Sequence, residues 1–173
     1  MAERLMFRLL MLVWIATMAV TAVPLPVWAS IHTYHERPGQ TTVRSQQSLR
    51  DRNDQAWQAI AFKRYRPDGL EGLYLRLVGF PGAVTIAPQR PLLVDTGTTL
   101  SWQAPVKLDP LTPALPDNTN QYDGATFMAD LEKDIPLILK VPLQGRSDAE
   151  LVVPPFVVHE WRQLVNQAQE LAG

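Results

Sequence analysis

From Leu73 to Val78 an apolar residue recurs at every second position, with Leu73, Leu75 and Leu77 alternating with Tyr74, Arg76 and Val78. Successive side chains of an extended strand point to opposite faces, so this spacing dictates a strand half-buried in a sheet. The run Gln55 to Tyr65 has Gln58, Ile60 and Phe62 on one face and Trp57, Ala59 and Ala61 on the other. Neither face is purely polar near its middle, which predicts a central strand covered on both sides. Thr42 to Leu49 is another such run, divided from the second by the polar turn Arg50-Asp51-Arg52-Asn53-Asp54; Arg66-Pro67-Asp68-Gly69 makes the next turn. Val84 to Ala87, Leu92 to Val94 and Thr98 to Trp102 predict shorter strands. Leu137 to Val141 and Ala149 to Val153 predict a last hairpin around Gln144-Gly145-Arg146.

The helical period is clear only at the end of the chain. Pro154-Pro155 introduces a stripe of Val157, Trp161, Leu164, Val165, Ala168 and Leu171, with Arg162, Gln163, Asn166, Gln167 and Glu170 opposite. Trp161 is its expected anchor on the sheet. Ala125 to Lys133 predicts a short helix, because Phe127 and Leu131 lie one turn apart. Residues 104–124 space Pro105, Pro110, Pro113 and Pro116 among small polar residues and predict a long irregular loop. Ile31 to Gln40 predicts an exposed lead-in punctuated by Pro38-Gly39. The fold expected is mainly β: a curved antiparallel sheet or small sandwich with one C-terminal α-helix and no internal repeat.

Ahead of this domain, Arg4 and Arg8 precede an apolar run from Leu9 to Val23, and Val27-Trp28-Ala29 ends on a small residue at a cleavage position. Residues 1–29 therefore predict a secretory signal peptide and 30–173 a single β-rich domain. The apolar run is shorter than the roughly 20 residues of a spanning helix; the alternative is an uncleaved N-terminal anchor. The chain carries 16 Lys+Arg, 17 Asp+Glu and no cysteine. Loss of Arg4, Arg8 and Glu3 leaves 14 basic and 16 acidic residues, which is no electrostatic footprint for nucleic acid. An exported chain without cysteine has neither disulfides nor a lipidated N-terminal thiol, so packing must supply its stability. Ser30 to Val106 holds nine basic and six acidic residues, and Lys107 to Gly173 five and ten. The folded protein keeps a basic and an acidic side only if these halves do not interleave.

Leu92-Leu93-Val94-Asp95-Thr96-Gly97-Thr98-Thr99-Leu100 resembles the active-site strand and turn of aspartic proteases. That resemblance implies Asp95 as the catalytic carboxylate, Thr96 as the buried hydroxyl and Gly97 as the close-packed backbone position, facing a second such turn. No second Asp-Thr-Gly or Asp-Ser-Gly occurs, and Leu143-Gln144-Gly145 puts a glutamine where the downstream element needs an apolar residue. Asp-Thr-Gly is also a tight turn between strands, which is the reading adopted. His32 and His35, with His159 as a third ligand, would suit a metal, but their order matches neither helical zinc pattern and solvated histidines account for them. There is no Gly-x-Ser-x-Gly elbow and no glycine-rich phosphate loop. No catalytic residue, cofactor or metal is therefore assigned. Arg44, Arg50, Arg52, Lys63, Arg64 and Arg66 gather on the first hairpin. They suit an acidic partner surface or anionic lipid headgroups, or else form a solvated hairpin tip.

Tyr34-His35-Glu36-Arg37-Pro38-Gly39-Gln40, Arg44-Ser45-Gln46-Gln47-Ser48-Leu49-Arg50-Asp51, Trp57-Gln58 to Phe62-Lys63-Arg64 and Leu75-Arg76-Leu77-Val78-Gly79-Phe80-Pro81-Gly82 resemble a family of uncharacterised exported proteins from cyanobacteria. Glu160-Trp161 is compatible with it. The resemblance covers most of the first half of the processed chain and implies a location, the thylakoid lumen or the periplasm, without implying an activity. The function expected is a non-enzymatic accessory or assembly protein on the lumenal or periplasmic face of a membrane protein complex. That complex would sit in the thylakoid or plasma membrane, a photosystem being the first candidate, with peripheral membrane contact. The basic hairpin and the proline-rich segment would be its contact surfaces. A hydrolase built on Asp95 and a small-ligand binder inside a curved sheet are the alternatives.

Overall fold

A computed structural model describes residues 31–37, 39–108 and 114–167. Residues 1–30, which include the expected signal peptide 1–29, lie outside these residues with Pro38, Pro110, Pro113, Ala168 and Leu171, as do the side chains of His35, Glu36 and Arg37. Four strands, β1 (His32–Arg37), β2 (Gln40–Arg50), β3 (Ala56–Arg66) and β4 (Gly69–Gly79), pair antiparallel in chain order. Strand β7 (Thr119–Asp123) completes this sheet beside β4. Strands β5 (Leu92–Asp95), β6 (Ser101–Ala104), β8 (Leu137–Val141) and β9 (Ala149–Val153) form a second antiparallel sheet in the order β6-β5-β8-β9. Two helices are present among the described residues, the single turn α1 (Ala125–Met128) and α2 (Pro155–Asn166). The mainly β architecture with a C-terminal helix is as expected.

Register explains which residues become core. Val43, Ser45, Gln47 and Leu49 of β2 stand opposite Lys63, Ala61, Ala59 and Trp57 of β3, and these oppose Leu73, Leu75, Leu77 and Gly79 of β4. One face of the sheet is thereby mostly apolar, with Ser45, Gln47 and Lys63 as polar members, and its apolar residues pack with Leu92, Val94, Leu139, Leu151 and Val153 of the second sheet into one core. The sheets are tied where Asp51 bridges Leu151, and the segments that follow β4 and β8 meet where Ile86 bridges Leu143. Ser45, Ala59 and Ala61 are small, and helix α2 lies over the strands that carry them. Its stripe buries Val157, Trp161 and Leu164 fully, each side chain adding roughly 1.5–3 kcal/mol. Pro155 opens the helix at a position where its missing N–H costs nothing. At the other end Lys63 Nζ donates to the carbonyls of Val165 (2.6 Å) and Gln167 (3.0 Å), and Tyr65 OH to that of Gln167 (3.0 Å). A cation there satisfies orphan carbonyls and meets the negative end of the helix dipole.

Five segments differ from the sequence reading. The strand expected over Thr98 to Trp102 is β6, which starts at Ser101 and runs to Ala104 because Thr98 to Leu100 complete the turn after Asp95. The exposed lead-in is strand β1, whose backbone pairs with β2 from His32 opposite Arg44 to Arg37 opposite Gln40. Val84 to Ala87 forms only the isolated bridge at Ile86. The helix expected to Lys133 stops at Met128. The proline-rich stretch is more regular than its composition suggests. Its end is strand β7, and its beginning runs back along that strand, with Asp123 N–H donating to Pro105 O (2.9 Å) and Lys107 N–H to Gln121 O (3.0 Å). Asn120 and Gln121 are buried polar residues paired with backbone groups, so no hydrophobic period marks the strand.

Candidate functional site

The face of the five-stranded sheet turned away from the core is not a plain solvated surface. Phe62 of β3 and Tyr74 of β4 are cross-strand partners, and their rings stack with centroids 5.1 Å apart. Both are buried although neither belongs to the core cluster. Gly72 makes this possible: a Cβ there would lie 2.8 Å from the Tyr74 ring, so only glycine lets the ring lie along the sheet. Cations cover the rings. Arg64 stands 5.4 Å from the Phe62 centroid and 5.7 Å from that of Tyr74, Arg76 5.4 Å from Phe62, and Lys107 Nζ 5.4 Å from Tyr74. On the adjoining strands Arg44 lies 3.8 Å over the ring of Tyr34. A cation over an aromatic face is held by the ring quadrupole, at roughly 0.5–2 kcal/mol, while its alkyl stem packs on the ring.

Carboxylates and amides fix this layer from its edges. Glu71 takes Arg64 at 3.5 Å and Arg66 at 2.7 Å, Asp123 takes Lys107 at 2.9 Å, and Gln121 Oε1 accepts from Arg76 Nη2 at 2.7 Å. Among the described residues Arg44 makes no ion pair, and Arg44, Arg76 and Lys107 keep part of their surface in water. The result is a positively charged face with its side chains already oriented.

The six basic residues singled out in the sequence do not form one patch. Arg44, Arg64 and Arg66 belong to the outer face or its margin. Arg50 and Arg52 sit at the β2–β3 turn, paired with Asp54 (3.1 Å) and Glu150 (2.7 Å). Eight residues of β3 separate that end from Arg64, roughly 26 Å along a strand. Lys63 points to the core side beneath α2, because alternation puts it on the face opposite Arg64. Arg76 and Lys107 join the face in their place. Alternation alone could have found Arg76, which shares a face with Tyr74 on β4; Lys107 could not have been found, since it reaches Tyr74 from the segment lying along β7.

Asp95 ends β5 in a hairpin turn. Its Oδ1 accepts from Gly97 N–H at 2.6 Å, its Oδ2 stands 3.9 Å from Lys140 Nζ, and Thr96 Oγ1 donates to Leu100 O at 3.0 Å. Gly97 has φ of +74°, the left-handed conformation that favours glycine. His32 lies edge-on to Tyr34, and His159 pairs through Nδ1 with Asp134 at 2.8 Å. Among the described residues no group of three or more His, Cys, Asp or Glu side chains is placed to hold a metal ion.

The family described as "Protein of unknown function (DUF3122)" matches residues 29–164. The chain belongs to this family. The resemblance to uncharacterised proteins is thus met at the level of a domain family. No curated protein and no solved structure matches the chain. In this DUF3122 domain the match includes both sheets, the cationic face and almost all of α2.

Proposed function

We propose that this DUF3122 protein is a non-enzymatic accessory protein that docks on an acidic surface of a membrane protein complex, on the exported side of the membrane. The observation that carries the proposal is the layer of Arg44, Arg64, Arg76 and Lys107 on the rings of Tyr34, Phe62 and Tyr74. Cations already oriented on a rigid sheet lose little freedom on binding, which favours a docking surface over a solvated set of arginines. Arg4, Arg8, the apolar run Leu9 to Val23 and Ala29 support export, and the resemblance to cyanobacterial proteins favours lumen or periplasm. The lone Asp95 is engaged by its own turn, which gives a hydrolase little support.

Affinity capture of the tagged chain from crosslinked native membranes tests this reading. The wild type is expected to retain one membrane complex, and the variant Arg44→Gln, Arg76→Gln, Lys107→Gln to lose it. Glutamine keeps a polar side chain on a shorter stem and removes the charge. Equal capture by both proteins would move the contact to another surface.

A further inference from the structure

We infer that a groove on the second sheet, between β6 and residues 129–135, is a docking site for an extended segment of a partner protein that presents a lysine or arginine side chain next to an aliphatic one. This inference does not depend on the cationic face. Leu100, Trp102, Leu131 and Ile135 line the groove, whose volume of about 550 Å³ is enough for a few side chains. Leu100 and Ile135 are 50% and 38% exposed, so the walls are apolar surface left in water. Asp130 and Glu132 stand at the rim against a single cation, Lys133. The walls thus suit aliphatic carbon and the rim a positive charge.

Trp102 joins the two. Its Nε1–H donates to Asp130 Oδ2 at 3.0 Å, which holds the indole beside a carboxylate. Behind it Phe127 lies 6.4 Å away, and Phe127 in turn meets the buried Trp161 at 6.1 Å. The indole is therefore backed by the core, and a cation set on its face would feel ring and carboxylate together. The occupant is an extended chain because of where the groove lies. Strand β6 is the end of its sheet, and among the described residues no strand pairs with its outer edge. A segment laid along such an edge gains backbone hydrogen bonds while alternate side chains enter the groove.

The test titrates the full chain with a fluorescein-labelled, end-capped hexapeptide, read by anisotropy. It carries leucine, lysine and leucine at alternate positions with threonine between them, so that all three share one face of the extended chain. The same peptide with glutamate in place of lysine is the comparison. The lysine peptide should bind and the glutamate peptide should not. Asp130→Asn with Glu132→Gln should weaken binding about tenfold, the scale of two lost exposed ion pairs. Hydrogen exchange with the unsubstituted chain gives a second reading, with added protection at Ser101 to Gln103 when the lysine peptide is bound. The triple glutamine variant of the cationic face should bind as the wild type does, so this site and that face fail separately. Absence of binding, equal binding of the two peptides, unchanged affinity in the double variant, or protection elsewhere than β6 would each overturn the inference.

Discussion

Glu160 lies on the buried side of α2, where a carboxylate is costly unless its oxygens are engaged. It accepts from Ser45 Oγ at 2.6 Å and Gln47 Nε2 at 3.0 Å, both on β2. Glu160→Ala would leave the buried Ser45 hydroxyl without its partner and should cost about 1–3 kcal/mol in chemical denaturation. At Asp95 the opposite outcome is expected. Asparagine can still accept from Gly97 N–H, so Asp95→Asn should leave the denaturation midpoint nearly unchanged; loss of an acid proteolytic activity in that variant would contradict the turn assignment. Asp134 supplies a pH dependence. The Arg162 hydrogen bond, helped by His159, holds its carboxyl below the ordinary carboxylate range. The unfolded chain, with the ordinary value near 3.9, therefore takes up the proton first as pH falls. The stability Asp134 adds is present above that value and lost as pH drops through the lower, folded one. Asp134→Asn should thus be less stable than wild type at neutral pH, with the difference closing as pH falls below the ordinary carboxylate range. A constant difference across that range would show that the pair with Arg162 adds nothing.

Among the elements, α2 has the most direct consequence for the core. Trp161 is fully buried and its Nε1–H has no hydrogen-bond partner among the described residues, so the ring carries the stabilisation. Trp161→Ala should cost roughly 3–5 kcal/mol, whereas Trp161→Phe, which removes the unpaired donor, should cost far less. A loss under about 1 kcal/mol for the alanine variant would place Trp161 outside the core. This helix was legible because its apolar residues fall at helical spacing behind two prolines. Strands β3, β4, β8 and β9 were legible because an apolar residue recurs at every second position, as at Trp57, Ala59 and Ala61 or Leu137, Leu139 and Val141, and β2 because a turn signal closes it. Strand β7 was not, since Thr119-Asn120-Gln121-Tyr122-Asp123 has no such alternation and Asn120 and Gln121 are buried through hydrogen bonds instead. Strand β1 was hidden by its position: at the edge of the sheet it pairs on one side only, so His32, Thr33 and Tyr34 remain exposed and carry no apolar period. The cationic face was half legible. Its arginines could be counted in the sequence, but the direction of each depends on pairing, which separates Lys63 from Arg64 and brings in Lys107.

At the scale of the molecule the two halves of the chain interleave in part. The five-stranded sheet takes four strands from the basic half and β7 from the acidic one, while the second sheet draws two strands from each. The basic groups Arg44, Arg64, Arg76 and Lys107 therefore collect on one sheet, and the acidic run from Asp130 to Asp134 lies beside the other. Such a division orients a protein against charged surfaces. Single exposed ion pairs are worth on the order of 0–1 kcal/mol, so only cations acting together can hold a partner, and their attraction fades as the Debye length shrinks to about 3 Å near 1 M salt. Native membranes washed at increasing salt put this to the test most directly. The account predicts that wild-type protein stays on the membranes at low salt and is released by about 1 M, while the Arg44→Gln, Arg76→Gln, Lys107→Gln variant is found free at low salt. Wild-type protein free at low salt, or the variant retained as firmly as the wild type, would contradict it.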